Sequence, residues 1–312
     1  MAKAKDRFDQ IQSDILRDRQ KTQSDRSRRK AVIKRMEQLE SGTPRRIAVY
    51  FARPDRSLTQ YDVLPFSSML KSLGVVENLD LVVVSNGGDG SSAEKMLDLC
   101  RQYCTGELRV IVPMYAKSAA TLLALGGDEI VMGETSELGP IDAQVYVIQD
   151  NEPQQVSADH FLRARDAAVN DLASAEDALV QAAQIQLSLL SPAFLQHCDD
   201  LMNFSRDFAR KQLQSHMFAS EYQQDQLAWT NRIDQIVLNL TASSKHLLHG
   251  RMITAADIQA DNDLKYLKVT DLPSDSEYWM LLTELLLRAE IVAQLDELGK
   301  LLFTRDFQLI SG

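Results

Sequence analysis

The chain has 312 residues, 45% hydrophobic and 25% charged, with 44 Asp and Glu against 34 Lys and Arg and a formal net charge of -10. This is an ordinary globular composition, long enough for one large domain or two, and its acidic balance argues against nucleic acid as the main partner. Three cysteines make no disulfide framework and fit a reducing cytoplasm.

Residues 1–43 are dense in Lys, Arg, Asp and Gln. Phe8, Ile11 and Ile15, then Val32, Ile33, Met36 and Leu39, recur at helical spacing and predict one or two amphipathic helices, a charged arm. Such an arm is either a solvated helix or a surface for a partner protein, a neighbouring subunit or an acidic surface. Ser41-Gly42-Thr43-Pro44 ends it.

The region 44–156 reads as an α/β core. Ile47–Phe51 is a first strand and Leu64–Leu73 a helix. Asp80–Val84 is a nearly continuous apolar strand of the buried, parallel kind. It runs into Ser85-Asn86-Gly87-Gly88-Asp89-Gly90, followed by a helix that starts at a capped Ser91. Glycines at the mouth of a strand turn N–H groups outward and let a ligand approach; a tight turn explains them equally well. No Gly-Lys-Ser/Thr follows, which argues against a nucleotide phosphate loop.

Arg109–Pro113 reads as another short buried strand and Thr121–Leu125 as a helix, with Tyr115-Ala116-Lys117-Ser118-Ala119-Ala120 between them. A serine among small residues at a strand-to-helix turn suits an exposed nucleophile, with the helix N-terminus favouring negative charge beside it. On this hexapeptide alone, a helix N-cap serine is the simpler reading. Glu129–Met132 adds a strand, and Glu152-Pro153-Gln154-Gln155 reads as a loop. Repeated strand-helix-strand units imply a parallel sheet with right-handed crossovers.

The region 157–312 is strongly helical. Met202, Phe204, Phe208, Met217 and Phe218 read as core, and Tyr278–Leu302 as a closing amphipathic helix suited to a subunit contact. Its most apolar part, Trp279–Leu287, is interrupted by Glu284, so no integral membrane segment is expected. Cys100 and Cys104 share a helix face, but no further His or Cys nearby completes a metal site. Neither a Schiff-base lysine nor a phosphate cup is recognisable, and no cofactor is expected.

Five pieces between Asn78 and Gln144 carry a resemblance. They are Asn86-Gly87-Gly88-Asp89-Gly90, Ala93-Glu94-Lys95, Ala116-Lys117-Ser118-Ala119-Ala120-Thr121, Asp128–Gly133 and Ser136-Glu137-Leu138-Gly139-Pro140-Ile141-Asp142. In this order the chain resembles the serine dehydrogenase proteinase family, a branch of the Clp-protease and signal-peptide-peptidase superfamily with a crotonase-like fold. Asn86 stands where the family usually has proline. The likeness covers roughly residues 46–165 and returns weakly at His249-Gly250 and Ile253-Thr254-Ala255-Ala256.

The resemblance implies a spiral of β-α-β units with a helical C-terminal region, and a hydrolase in which Ser118 attacks a carbonyl. The N–H groups of Gly87 or Gly88 and of Ala119 would hold the oxyanion. It also implies a homo-oligomer that sequesters its serines. The familiar bases are missing from their places: no lysine lies between Ser118 and Lys211, and no histidine between Ser118 and His160. His160 is the nearest downstream imidazole and is taken as the base, with the alternative of a partly exposed helix-end histidine. His249 matches a downstream family histidine and either reaches the site or fixes a turn. Asp142 either orients a base, binds substrate or caps a turn. Lys117 adjoins Ser118 and is expected to pair with an acid; Arg163 and Arg165 cannot act as bases.

The expected activity is a soluble serine peptidase of the Clp class, cytoplasmic and acting on peptide or protein. The competing expectation is a crotonase-fold scaffold that binds without hydrolysing.

Overall fold

The structure is a computed structural model that describes residues 10, 13, 22–39, 44–149, 151–173 and 176–311. The chain runs through α1 (Thr22–Leu39), β1 (Arg45–Ala52), α2 (Gln60–Leu73), β2 (Asn78–Val84), α3 (Gly90–Tyr103), β3 (Leu108–Ile111) and β4 (Tyr115–Ala116). It continues with α4 (Ala119–Leu125), β5 (Glu129–Met132), β6 (Glu137–Leu138), β7 (Gln144–Gln149) and β8 (Glu152–Ser157). Helices α5 (Ala158–Asp171), α6 (Asp177–Ser188), α7 (Pro192–Gln212), α8 (Ala219–Gln224), α9 (Gln226–Thr241), α10 (Ser243–His246) and α11 (Ala255–Ala260) follow. β9 (Val269–Asp271), α12 (Glu277–Leu295), β10 (Lys300–Thr304) and β11 (Gln308–Ser311) close the fold.

Alternation within the strands sets the layers. In β1, Ile47, Val49 and Phe51 join one buried cluster while Ala48, Tyr50 and Ala52 join another, on the opposite face. β2 divides in the same way, with Val82 and Val84 against Leu79, Leu81 and Val83. Strands apolar on both faces must be covered twice.

The main sheet has the order β11-β10-β1-β2-β3-β5-β9. β1, β2, β3, β5 and β9 are parallel; β10 and β11 extend the β1 edge antiparallel. From β1 to β5 the chain steps always in one direction, and right-handed crossovers then put α2, α3 and α4 on a single face. Phe66, Met69, Met96, Leu97 and Leu123 fill that side. The other side is covered by α1 and α12.

Three expectations change. The cationic arm is not free along 22–39: Val32, Ile33 and Met36 are buried in the same cluster as Leu282, Leu285 and Ala289 of α12. Phe8, Ile11 and Ile15 lie outside the described residues. The helix expected over Tyr278–Leu302 stops at Leu295, and Lys300–Thr304 is a buried strand paired with β1. Residues 152–155 belong to an antiparallel hairpin with β7 rather than a loop. Pro153 is tolerated because this two-stranded ribbon offers an edge that needs no further donor.

Of the expected core residues in the helical region, Met202, Phe208, Met217 and Phe218 are buried. Phe204 is half-buried and stacks on Phe208. Among the described residues no single helix is long and apolar enough to cross a membrane; Asp177–Ser188 with Pro192–Met217, bent by 80°, passes that test only as a pair.

Candidate active site

The end of β2 and the turn before α4 meet at the carboxyl edge of the parallel strands, where sheets of this kind place their sites. Ser85 forms a bridge with Ala116 through Ser85 N–H to Tyr115 O (2.9 Å) and Lys117 N–H to Ser85 O (3.0 Å). The glycine turn therefore leaves the sheet beside the serine turn. A Cβ built on Gly87 would lie 2.3 Å from Lys117 O, 2.8 Å from Ala119 N and 2.9 Å from Ser118 Cβ. Gly87, at φ +88, is what lets the two turns touch.

Ser118 itself has φ +52 and ψ -120, a backbone state that L side chains rarely occupy. The turn is sharp, as a strand-to-helix nucleophile turn must be for the hydroxyl to project from the sheet edge. Its side chain makes no cap hydrogen bond to the helix, so the N-cap role weighed for this serine is not performed. Ser118 is half-buried, and Ala119 behind it is buried.

Two main-chain donors remain at this spot. Gly87 N–H is taken by Ser85 Oγ at 3.0 Å, so of the two glycines expected as donors it is Gly88 whose N–H stays free. Among the described residues, the N–H groups of Gly88 and Ala119 carry no hydrogen bond. Gly88 is exposed at φ +145 and held through Leu58, which donates to Gly87 O at 2.7 Å and accepts from Asp89 N–H at 2.9 Å. A Cβ on Gly88 would stand 2.2 Å from Leu58 O. Gly88→Ala is expected to destabilise the fold by about 3 kcal/mol through this backbone clash, read as a lower urea midpoint at unchanged slope.

The ionisable partners come from further along the chain. Thr121 Oγ1 lies 2.7 Å from Ala116 O and 3.0 Å from Gly139 O, and accepts Gly139 N–H at 3.2 Å, which pins the segment after β6 to the serine helix. Ile141 N–H bonds Leu240 O at 2.9 Å, and the next residue, Asp142, is 2% exposed. Leu138 and Ile253 pair across two backbone bonds of 2.9 and 3.0 Å, drawing the chain after α10 alongside.

Through that pairing Asp142 Oδ1 meets His249 Nδ1 at 2.7 Å. Gln144 Nε2 donates to the other oxygen at 2.8 Å. Burial alone would raise the Asp142 pKa, but the His249 hydrogen bond and charge, helped by Ser157, hold it below the usual carboxylate range. An ionised carboxylate only accepts, so Nδ1 carries the proton, and it is in the neutral ring that Nε2 presents a lone pair. This is how an aspartate sets the tautomer of a general base. Ser118 Oγ has no hydrogen bond among the described residues, to His249 or to any other group.

His160 stands apart from this pair. It is exposed on the first turn of α5 and has no hydrogen bond or ion pair among the described residues. Its neighbour Asp159 is engaged instead, accepting from Ser243 N–H at 3.1 Å and Ser243 Oγ at 2.5 Å. Lys117 Nζ pairs with Glu137 at 3.0 Å. Arg163 bonds Ser243 Oγ at 3.2 Å, and Arg165 pairs with Asp166. No group of three or more His, Cys, Asp or Glu able to hold a metal occurs among the described residues.

One further histidine lies beneath the His249 loop. His246 is buried, and its Nε2 is 2.8 Å from Asn239 O, a pure acceptor that places the proton on Nε2. Burial lowers its pKa from the ordinary value. The folded state then binds fewer protons than the unfolded one near pH 6. The associated stability is complete above the unfolded pKa and is lost as pH falls through the folded value, by at most about 1.4 kcal/mol per pH unit. His246→Gln is expected to flatten that acid limb in urea titrations run between pH 8 and pH 5.

The comparisons with known proteins bear on the same segment. Residues 66–183 match the model of the ClpP-like SDH-type serine proteinase family, a range that includes the glycine turn, Ser118 and Asp142. Over 67 residues the chain is 40% identical to Uncharacterized protein MJ0137 and 33% identical to Uncharacterized protein MJ1495, both of Methanocaldococcus jannaschii. Each match takes in 22% of this chain and 23% of the relative's length.

Among solved structures, a serine-to-alanine mutant of the 1510-N membrane-bound stomatin-specific protease is 11% identical, with a TM-score of 0.39 over 75% of this chain and 99% of that one. A lysine-to-alanine mutant of that protease in complex with a substrate peptide is 12% identical, with a TM-score of 0.34 over 78% of this chain and 99% of that one. The serine turn, the glycine turn and the buried aspartate all lie inside the stretch that matches the ClpP-like SDH-type serine proteinase family model.

Proposed function

We propose that this protein is a serine peptidase in which Ser118 is the nucleophile, His249 the general base and Asp142 the group that orients it, with Gly88 and Ala119 N–H as oxyanion donors. The observation that carries the reading is the 2.7 Å bond between Asp142 and His249 Nδ1, formed on the loop that Lys117 joins to the serine turn. His249 Nε2 would take the hydroxyl proton as Ser118 Oγ adds to the peptide carbonyl. The same nitrogen would return it to the leaving amine as the tetrahedral intermediate collapses to an acyl-enzyme. Water then repeats the sequence against the ester.

The substrate class is peptide or protein, supported by the family and by an open, half-exposed serine. A homo-oligomer belongs to the same reading, supported by exposed Tyr146 and Ile148 on the hairpin and Ile185 and Leu189 around α6. A cytoplasmic setting is supported by three free cysteines.

One observation favours a second reading: the base does not hydrogen-bond Ser118. A scaffold that binds a peptide without cutting it would need no such bond. A fluorophosphonate probe decides between them. Stoichiometric labelling of the assembled protein supports the peptidase, and no labelling of folded protein leaves the scaffold.

A further inference from the structure

We infer that Lys117 is a positioning residue that sets the distance between nucleophile and base, an inference that rests on the Ser118–His249 reading. Lys117 immediately precedes Ser118, and its side chain is only 15% exposed. Its Nζ lies 2.9 Å from Gly250 O, and Gly250 immediately follows His249. One ammonium thus joins the residue beside the hydroxyl to the residue beside the imidazole.

The histidine loop needs such a tie. Leu247 sits at φ +65, Leu247 and Leu248 are 70% and 72% exposed, and a Cβ at Gly250 would meet nothing within 4 Å. Two other attachments hold it, the Leu138–Ile253 bridge and the His249–Asp142 bond. Both lead to the segment 137–142. Among the described residues, the Lys117–Gly250 contact is the only hydrogen bond running from this loop straight to the serine turn.

The charge on Lys117 is managed as well. A bare ammonium beside the histidine loop would oppose the imidazolium that forms when Ser118 gives up its proton. Glu137 Oε1 pairs with it at 3.0 Å, leaving the tether without a net charge. Its stem is confined by Gly139, where a Cβ would lie 3.1 Å from Lys117 Cβ and Cγ. With acceptors on Glu137 and Gly250, the amine is a donor in this arrangement and takes no proton from Ser118.

The test compares Lys117→Met and Lys117→Arg with Ser118→Ala in the full chain, reading peptide hydrolysis, fluorophosphonate labelling rate and amide exchange over 247–253. Lys117→Met is expected to lower kcat about 10- to 100-fold with KM within about threefold, because a small misplacement of reacting groups costs that much. Lys117→Arg is expected to recover most of the loss. Exchange over 247–253 should rise about tenfold in Lys117→Met, the equivalent of losing one ordinary hydrogen bond, and stay unchanged in Ser118→Ala.

Unchanged exchange in Lys117→Met overturns the inference whatever the activity. So does wild-type kcat in Lys117→Met while Ser118→Ala is dead, or a loss confined to KM, which would make Lys117 a substrate contact. Faster exchange in a protein that never labels would sink the peptidase reading and leave the tether standing.

Discussion

Ser118→Ala is expected to abolish fluorophosphonate labelling and to lower peptide hydrolysis by about 10⁴-fold or more, the usual cost of removing the nucleophile from such a constellation. The backbone donors at Gly88 and Ala119 survive this change, so peptide binding should persist with KM close to that of the unmodified protein. The same position offers an independent stability measurement. Ser118 sits at φ +52 and ψ -120, and alanine inherits that strain whereas glycine does not. Ser118→Gly is therefore expected to be more stable than Ser118→Ala by about 1 kcal/mol, despite the larger entropy glycine brings to the unfolded chain. A hydroxyl held in a strained turn at a cost to the fold fits a nucleophile turn; equal stability of the two variants would remove that argument. Retained labelling in Ser118→Ala would place the reactive group elsewhere.

The second large effect separates the two histidines. His249→Gln is expected to lower kcat by about 10³- to 10⁴-fold, and Asp142→Asn by a comparable factor, because the amide favours the wrong tautomer of the ring. His160→Gln is expected to leave kcat within about twofold, since its exposed side chain has no partner among the described residues. Hydrolysis rates and labelling rates of the three variants, each checked for native circular dichroism, test the assignment. A profile in which His160 carries the loss and His249 does not would overturn it. Removing both His249 and Asp142 should cost little more than removing either, because groups that act as a unit are not additive.

That the buried aspartate meets His249 and not His160 has a physical origin. His160 is the nearest imidazole after Ser118 along the chain, but a base acts by distance in space. Asp142 and His249 are 107 positions apart. They meet because the Leu138–Ile253 bridge folds the stretch after α10 against β6, and no local pattern in His249-Gly250-Arg251 announces that pairing. The donor assignment has a similar cause. Gly87 and Gly88 look alike in the sequence, yet Ser85 Oγ takes one N–H and leaves the other.

Elsewhere the ambiguity was one of period. Leu301-Leu302-Phe303 is a short apolar run that suits a helix end or a buried strand. The β1 edge decides for a strand by supplying antiparallel partners from Ala48 to Ala52. The arm helix shows the same thing at a larger scale. Val32, Ile33 and Met36 mark an amphipathic face in any context, and only the sheet and α12 reveal that the face is spent within the chain.

By itself the sequence determined the frame and singled out Ser118 as the candidate nucleophile. Apolar strands of short length, glycines at one strand mouth and a serine among small residues at the next are local features, and the physics that reads them is local. Tertiary structure alone decided which histidine meets Asp142, which glycine N–H is left free and the fate of the terminal segments. Each of those depends on which groups lie within hydrogen-bond reach, or which apolar face finds a cover, once distant parts of the chain have packed.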